Sequence, residues 1–105
     1  MTKKVTAGRD NLGNLAPDFA GYNDDILFGE VWADETLPQK TRSIATVSAI
    51  MAMGAFEQLP AHMKKAKENG VSQKEMVALL TQLAFYTGWP KGWSAFNILK
   101  QVYGE

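Results

Sequence analysis

The feature that most constrains this chain is a stretch without charged residues, Ser43–Phe56, which is rich in Ala, Ile, Val and Met. Pro38 precedes it at a position suited to the first turn of a helix, and Gly54 supplies a left-handed stop. A helix without charge has to be covered on most of its sides, yet the stretch is shorter than the ~20 residues that span a bilayer. We therefore predict a central, mostly covered helix at about 38–53 and no membrane crossing.

Proline and glycine divide the rest of the chain into further short helices. Apolar residues advance in steps near 3.6 after Pro17, and Ser72 followed by Glu75 is the pattern of a capping box. No segment alternates with a period of two, so an all-α fold is favoured over a mixed one. We predict a compact bundle of about five helices, with the other four at about 17–32, from Pro60 until Gly70 ends the segment, at about 73–86, and from Pro90 toward Tyr103.

The beginning of the chain shows no helical or strand period. Residues 1–16 are therefore expected to form an N-terminal segment that is either a tail or an arm docking on something else. The chain has 105 residues, which fits one domain, and we place the helical domain at 17–105. A domain of this size hides only part of its apolar surface, so a partner subunit is expected.

Composition excludes several classes of function. Eleven Lys and Arg balance eleven Asp and Glu, so the basic surface typical of a nucleic-acid-binding protein is missing. The chain has no Cys, which excludes disulfides, thiolate nucleophiles and thiolate metal ligands. Met1–Asp10 is polar and lacks the apolar centre of a signal peptide, so we expect a cytoplasmic protein that binds neither nucleic acid nor membrane.

Two basic side chains are the leading candidates for chemistry. His62 is the only His, and imidazole is the side chain whose ordinary pKa lies nearest neutrality, which suits proton transfer. A lone His near a helix start is also typical of a cap or a surface residue. Arg42 precedes the uncharged stretch, where its planar guanidinium can grip a carboxylate. The structural alternative for Arg42 is an ion pair with an acidic side chain of the preceding segment: Glu30, Asp34 or Glu35.

Glu30 is a third candidate for the site. It lies near the end of the first predicted helix, where a carboxylate meets the unfavourable end of the helix dipole and requires a cationic partner. The pairs Asp24–Asp25 and Asp34–Glu35 have neither the spacing nor the His partners of a transition-metal site, so no metal is predicted. The cluster formed by Lys64, Lys65 and Lys67 is expected to be a solvated helix face.

Three aromatic residues surround the predicted helix break in Phe85–Pro90. Such rings are suited to the wall of a ligand pocket. Because these rings carry no charge, they more often pack in a core or in an interface between subunits. We take Tyr86 and Trp89, with Trp32, as candidate substrate-binding residues.

Four motifs follow one another along the chain: Leu37–Ser43, Leu59–His62, Asn69–Glu75 and Ala84–Pro90. In this order and at these spacings the chain resembles the carboxymuconolactone decarboxylase family over about Phe28–Leu99. The resemblance implies an all-helical fold of the alkylhydroperoxidase D-like type, assembled as trimers or hexamers.

Two branches of that family differ in their chemistry. The peroxidase branch carries two cysteines separated by two residues, with a His four residues after the second. Ala55 and Gln58 occupy the matching positions ahead of His62, so cysteine-dependent peroxidase activity is disfavoured. The decarboxylase branch removes CO2 from a lactone dicarboxylate without a cofactor, in the catabolism of aromatic compounds.

The resemblance to the decarboxylase branch implies roles for the candidate residues. Arg42 would hold a carboxylate or oxyanion and His62 would protonate the dienolate carbon, while the aromatic side chains exclude water. A helix separates Arg42 from His62, so a pocket shared by both, with Glu30, requires the chain to fold back or a second subunit to contribute. The alternative is a non-catalytic helical oligomer that binds a small acid or a protein partner, and this shared pocket distinguishes the two functions.

Overall fold

The computed structural model describes residues 4–104. Within this range it contains α-helices and one π-helical segment and no strand, so the predicted all-α class is confirmed. None of the helices in this range is long and apolar enough to cross a bilayer. The α-helices are α1 (Ala7–Leu12), α2 (Pro17–Gly21), α3 (Gln39–Met53), α4 (Leu59–Glu68), α5 (Gln73–Thr87) and α6 (Trp89–Tyr103).

The chain divides into two units, one ending at Leu37 and the other beginning at Pro38. In the first unit, α2 continues directly into the π-helical segment, Tyr22–Val31. The prediction of one regular helix at about 17–32 was therefore right in extent and wrong in type for its larger part. A period of 3.6 assumes bonds from each N–H to the fourth residue before it. Here the backbone N–H of Trp32 donates to the carbonyl of Leu27, five residues earlier, at 2.9 Å.

The first unit also contains a helix that the sequence did not predict. α1 forms inside the stretch without a period, and the buried carboxylate of Asp24 holds its beginning. Asp24 accepts the backbone N–H of Gly8 at 2.8 Å and that of Arg9 at 3.0 Å. Because these partners are distant in sequence, no local pattern shows the cap. Residues 1–3 of the predicted arm and residue 105 of the predicted domain lie outside the described residues, and the proposed boundary at residue 16 stays a prediction.

The second unit is an arrangement of four helices in which α3 and α6 each contact the other three. α3 contacts α4, α5 and α6, α5 packs along α6, and α6 also packs against α4. The prediction that α3 alone forms the covered centre is wrong, because α6 contacts the same helices and the uncharged α3 still has an exposed side. Ala45, Ala49, Ala52 and Met53 are exposed. The buried core consists of Val47, Ile50, Met51, Leu59, Met63, Ala66, Val71, Met76, Leu80, Ala95 and Leu99.

The predicted helix ends are largely confirmed. Ser72 Oγ accepts the backbone N–H of Glu75 at 3.0 Å, and Glu75 Oε1 accepts the N–H of Ser72 at 2.9 Å, which completes the capping box of α5. Gly54 ends α3 in the left-handed region at φ 75°, and Gly88 separates α5 from α6 at φ 111°. Pro38 is one residue earlier than predicted: it is the N-cap of α3 and its extended ψ of 148° keeps it out of the first turn.

Candidate functional site

The arrangement of α3 and α4 determines where the candidate side chains lie. α4 returns along α3 after a short connection, and the side-chain amide of Asn69, directly after α4, donates to Ser43 Oγ at 2.9 Å. Ser43 is buried. This hydrogen bond fixes the register of the two helices, so the second turn of α3 lies beside the end of α4. The fold-back that a shared site within one chain requires is therefore present.

Arg42 lies beside this contact, in the first turns of α3. It is half-buried, and its Nε atom is inaccessible to solvent. Its backbone N–H donates to the carbonyl of Pro38 at 2.8 Å, and its own carbonyl accepts the hydroxyl of Thr46 at 2.8 Å. These two hydrogen bonds fix the backbone position from which the long side chain of Arg42 extends.

His62 lies in the second turn of α4 and is half-buried, with Nδ1 inaccessible to solvent. Gln58 is the N-cap of this helix, so the structural alternative in which His62 is the cap is wrong. Burial lowers the pKa of His62, because the imidazolium loses hydration, and the charge of the Lys65 ammonium lowers it further. In the free protein the imidazole is consequently neutral at neutral pH.

His62, Lys65 and Asn69 occupy one side of α4, since residues three, four and seven apart share a helix face. All three are half-buried, whereas Lys64 and Lys67 are exposed. The prediction of a solvated lysine face is therefore wrong for Lys65. We call these three residues the α3-facing row, because Asn69 at its end bonds to Ser43 of α3.

The α3-facing row gives the spacing between the two leading candidates. From His62 to Asn69 the helix advances about 10 Å at ~1.5 Å per residue. Because Arg42 precedes Ser43, it lies near the level of Asn69. His62 and Arg42 are therefore on neighbouring helices of the same pair, at levels about 10 Å apart, and Lys65 lies at a level between them. Sequence reasoning assigned Lys65 to a solvated face, although its spacing of three residues from His62 puts both residues on one side of the helix.

The predicted aromatic walls lie on other helices of the second unit. Tyr86, near the end of α5, is 83% exposed, and Trp89, at the start of α6, is 56% exposed. Trp89 packs edge-on against Phe85 with ring centroids 5.4 Å apart. It also lines a groove of about 360 Å³ between α5 and α6, which neither His62 nor Arg42 lines. The groove is bordered by Thr81, Ala84, Trp89, Gly92, Trp93 and Phe96.

Glu30 and Trp32 belong to the first unit. Glu30 is exposed in the last turn of the π-helical segment. Trp32 is 6% exposed and stacks on Phe28, with ring centroids 6.0 Å apart and an interplanar angle of 22°. The indole of Trp32 is thus mainly a packing group within the chain. Among residues 4–104 no cluster of three or more His, Asp or Glu side chains is positioned to hold a metal ion.

Comparison with known proteins identifies the family. The model of the carboxymuconolactone decarboxylase family matches residues 17–101. The chain belongs to this family. The matched region contains Glu30, Arg42 and His62, as well as the aromatic residues around Gly88. The family resemblance read from the four sequence motifs is thereby confirmed.

Three proteins are similar to this chain over most of its length. The chain is 30% identical over 103 residues to a 4-carboxymuconolactone decarboxylase of Acinetobacter baylyi, covering 98% of this chain and 77% of that protein. It is 33% identical over 78 residues to a nitrosuccinic acid decarboxylase of Metarhizium robertsii, covering 74% of this chain and 54% of that protein. An uncharacterized 15.0 kDa protein of Paracoccus denitrificans is 30% identical over 96 residues, which is 90% of this chain and 72% of that protein.

Proposed function

We propose that this family member is a cofactor-independent decarboxylase that acts on a lactone or a related small organic acid in the catabolism of aromatic compounds. The observation that carries the proposal is a half-buried imidazole, His62, on the same helix pair as the guanidinium of Arg42. Two of the family relatives described above are named as decarboxylases, of different acids. A decarboxylation without a cofactor requires a cation that binds the acid and a group that transfers a proton.

The chemistry follows from the charges that change. The bond between the carboxylate carbon and the ring carbon breaks, CO2 leaves, and the electron pair passes through the ring double bond to the lactone carbonyl oxygen. Arg42 stabilises the negative charge on that oxygen. One proton from His62 then adds to the dienolate carbon next to the lactone carbonyl, so the carboxylate and one proton give an enol-lactone and CO2. The roles of Glu30, Trp32, Tyr86 and Trp89 stay predictions from the sequence.

The protonation state of His62 suits this order of reaction steps only when substrate is bound. In the free protein the pKa of His62 is lowered by burial and by Lys65, so the imidazole is neutral. An acid bound beside the imidazole brings negative charge, which favours the imidazolium and raises the pKa of His62. We therefore expect the acid to arrive as an anion and to be protonated on carbon only after its own charge has drawn a proton onto His62.

The test is CO2 release from 4-carboxymuconolactone and from a panel of related ring and open-chain dicarboxylic acids. Turnover of at least one acid, retained with EDTA and with a thiol-blocking reagent, is the expected result, because the chain has no Cys. Hydroperoxide reduction should be absent. If none of the acids is consumed while some bind, the non-catalytic acid-binding oligomer becomes the better description.

We also propose that the protein is a homo-oligomer, a trimer or a hexamer. Large aromatic side chains of α5 and α6 are exposed in the single chain: Phe85, Tyr86, Trp89 and Trp93. Contiguous apolar surface of this kind is typical of an interface between subunits. Light scattering should give a mass several times the 11.6 kDa of one chain. A monodisperse particle of the single-chain mass at micromolar concentration would contradict the proposal.

A further inference from the structure

The α3-facing row contains a cation to which the proposed chemistry assigns no role. Lys65 is half-buried, although the neighbouring Lys64 and Lys67 on the same helix are exposed. A lysine usually keeps its ammonium in water, and partial burial means that its apolar stem packs against the protein. The ammonium lies close enough to His62 to lower its pKa. Lys65 therefore places a second positive charge beside the candidate proton-transfer group.

The register of the helices places this charge between the two residues of the proposed site. Along α4, Lys65 is about 4.5 Å from the level of His62 and about 6 Å from that of Asn69, at ~1.5 Å per residue. The hydrogen bond from Asn69 to Ser43 brings Arg42 to the far end of the same interval. The backbone levels of two cations and one imidazole thus fall within about 10 Å along the helix pair, so long side chains from these positions can contact different groups of one small acid.

We propose that Lys65 is the residue that makes the site select dicarboxylic acids, by binding the carboxylate that the substrate keeps. This inference rests on the proposed function, in which Arg42 stabilises the oxyanion and His62 transfers the proton. Binding energy from a carboxylate that does not react can be used to position the reacting one. An ion pair to the departing carboxylate would instead stabilise the ground state and slow the loss of CO2.

The structure also separates a binding role of Lys65 from a structural one. Lys65 lies in the last turn of α4, where a cation interacts favourably with the helix dipole. Its backbone carbonyl accepts the N–H of Asn69 at 2.9 Å, and this bond survives substitution of the side chain. Lys64 is one residue away, exposed, and carries the same charge. Lys64→Gln is therefore a matched control for Lys65→Gln.

The experiment uses the proton NMR signals of His62 to detect binding of an acid. It is the only His of the chain, so the imidazole C–H signals of the intact protein in a proton NMR spectrum belong to one residue. The protein is titrated with succinate and, separately, with butyrate, which has the same number of carbons and one carboxylate. We expect succinate to bind about tenfold more tightly than butyrate, a difference of about 1.4 kcal/mol.

Lys65→Gln should lower the preference for succinate to about twofold or less by weakening succinate binding, with butyrate affinity unchanged. Lys65→Arg should restore the preference, and Lys64→Gln should keep it. Lys65→Met serves as a second neutral variant if Lys65→Gln does not fold. Absence of a succinate-dependent shift in the unsubstituted protein, or an unchanged preference in the folded neutral variants, overturns the proposal. An equal loss in Lys64→Gln also overturns it.

Kinetics separate this inference from the function on which it rests. For an acid that is turned over, Lys65→Gln should raise KM about tenfold with little change in kcat, since the retained carboxylate is bound equally in ground and transition states. A Lys65-dependent preference for succinate without decarboxylation of any acid would support the binding role and contradict the decarboxylase. Decarboxylation with a KM that does not respond to Lys65→Gln would contradict the role of Lys65 alone.

Discussion

The side-chain amide of Asn69 donates a 2.9 Å hydrogen bond to the buried hydroxyl of Ser43, and this bond joins the end of α4 to the second turn of α3. The two residues are distant in sequence, and each adjoins a functional position: Ser43 follows Arg42, and Asn69 ends the row that begins at His62. A hydrogen bond that fixes the register therefore also fixes the spacing of the candidate site.

Asn69→Ala should lower the free energy of unfolding by about 1–2 kcal/mol, because it leaves the buried Ser43 hydroxyl without this donor. Urea denaturation measures the change. Asn97→Ala, at an exposed position of α6, is the control and should change stability by less than about 0.5 kcal/mol. Equal effects of the two substitutions would show that the contact does not hold the helices in register.

His62→Ala should lower turnover of the acid about 10²-fold or more, because the dienolate carbon loses its proton donor. Arg42→Lys should lower kcat/KM, both by weaker binding of the acid and by a less stabilised oxyanion, because an ammonium cannot replace the two parallel contacts of a guanidinium. Steady-state kinetics on the acid that releases CO2 gives both values. Circular dichroism and light scattering should show that both variants remain folded oligomers. Unchanged turnover in His62→Ala would favour the non-catalytic oligomer.

Gly8→Ala should destabilise the first unit, because a Cβ there would lie 2.7 Å from Asp24 Oδ1 and 2.8 Å from the backbone carbonyl oxygen of Ala20. The backbone oxygen cannot move away as a flexible side chain does, so we expect a loss of about 1–3 kcal/mol, as for other overpacked sites. Hydrogen exchange at the amides of Gly8 and Arg9 should become faster.

Gly21→Ala is the matched control within the same unit. The nearest atom to a Cβ at this position is a guanidinium nitrogen of Arg9 at 3.6 Å, an ordinary contact. Because Gly21 has helical backbone angles, alanine should be neutral or stabilising by up to about 1 kcal/mol. If both variants exchange at the rate of the unsubstituted protein, the close approach at Gly8 is not required.

Acid should reduce stability in two stages. Burial alone would raise the pKa of Asp24, but hydrogen bonds from Asn23, Arg9 and Gly8 outweigh it and hold the pKa below its usual range. The hydrogen bonds and charge of Arg9 likewise lower the pKa of Asp25. The unfolded chain therefore takes up protons that the folded chain resists, so stability is lost as the pH falls through about 4 and below.

His62 causes the earlier stage. Its pKa is lowered in the folded chain, so below about 6.5 the unfolded chain binds a proton that the folded chain does not. Urea denaturation between pH 8 and 3 should show a shallow decline that begins near 6.5 and a steeper one below about 4. His62→Gln should remove the first decline and leave the second. A stability that rises between pH 7 and 5 would contradict the lowered pKa of His62.

Local sequence predicted the parts of the fold that local bonding forms. The capping box of Ser72 and Glu75 needs only residues three apart, and Gly54 and Gly88 adopt backbone angles that other residues avoid. These features placed α5 and α6 to within a residue or so. The type of the Tyr22–Val31 segment was missed because the apolar spacing does not distinguish a bond to the fourth preceding residue from one to the fifth.

The candidate site was only partly accessible to sequence reasoning. The four motifs identified the family, and chemistry singled out His62 and Arg42 from the small set of titratable side chains. The position of Lys65 was not predicted, because three lysines on one short helix differ only in the side of the helix that each occupies. Which side faces α3 depends on how α4 packs, and the contact of Asn69 with Ser43 shows it.

The sequence by itself determined the helical class, the family and the side chains available for catalysis, because these follow from residue type and from spacing along the chain. The tertiary structure decided which groups meet: Asp24 with the start of α1, Asn69 with Ser43, and Lys65 at a level between His62 and Arg42. The physical reason is that a hydrogen bond or a charge acts over a few ångströms of space. Packing of the buried apolar side chains, rather than any local pattern, brings residues distant in sequence within that range.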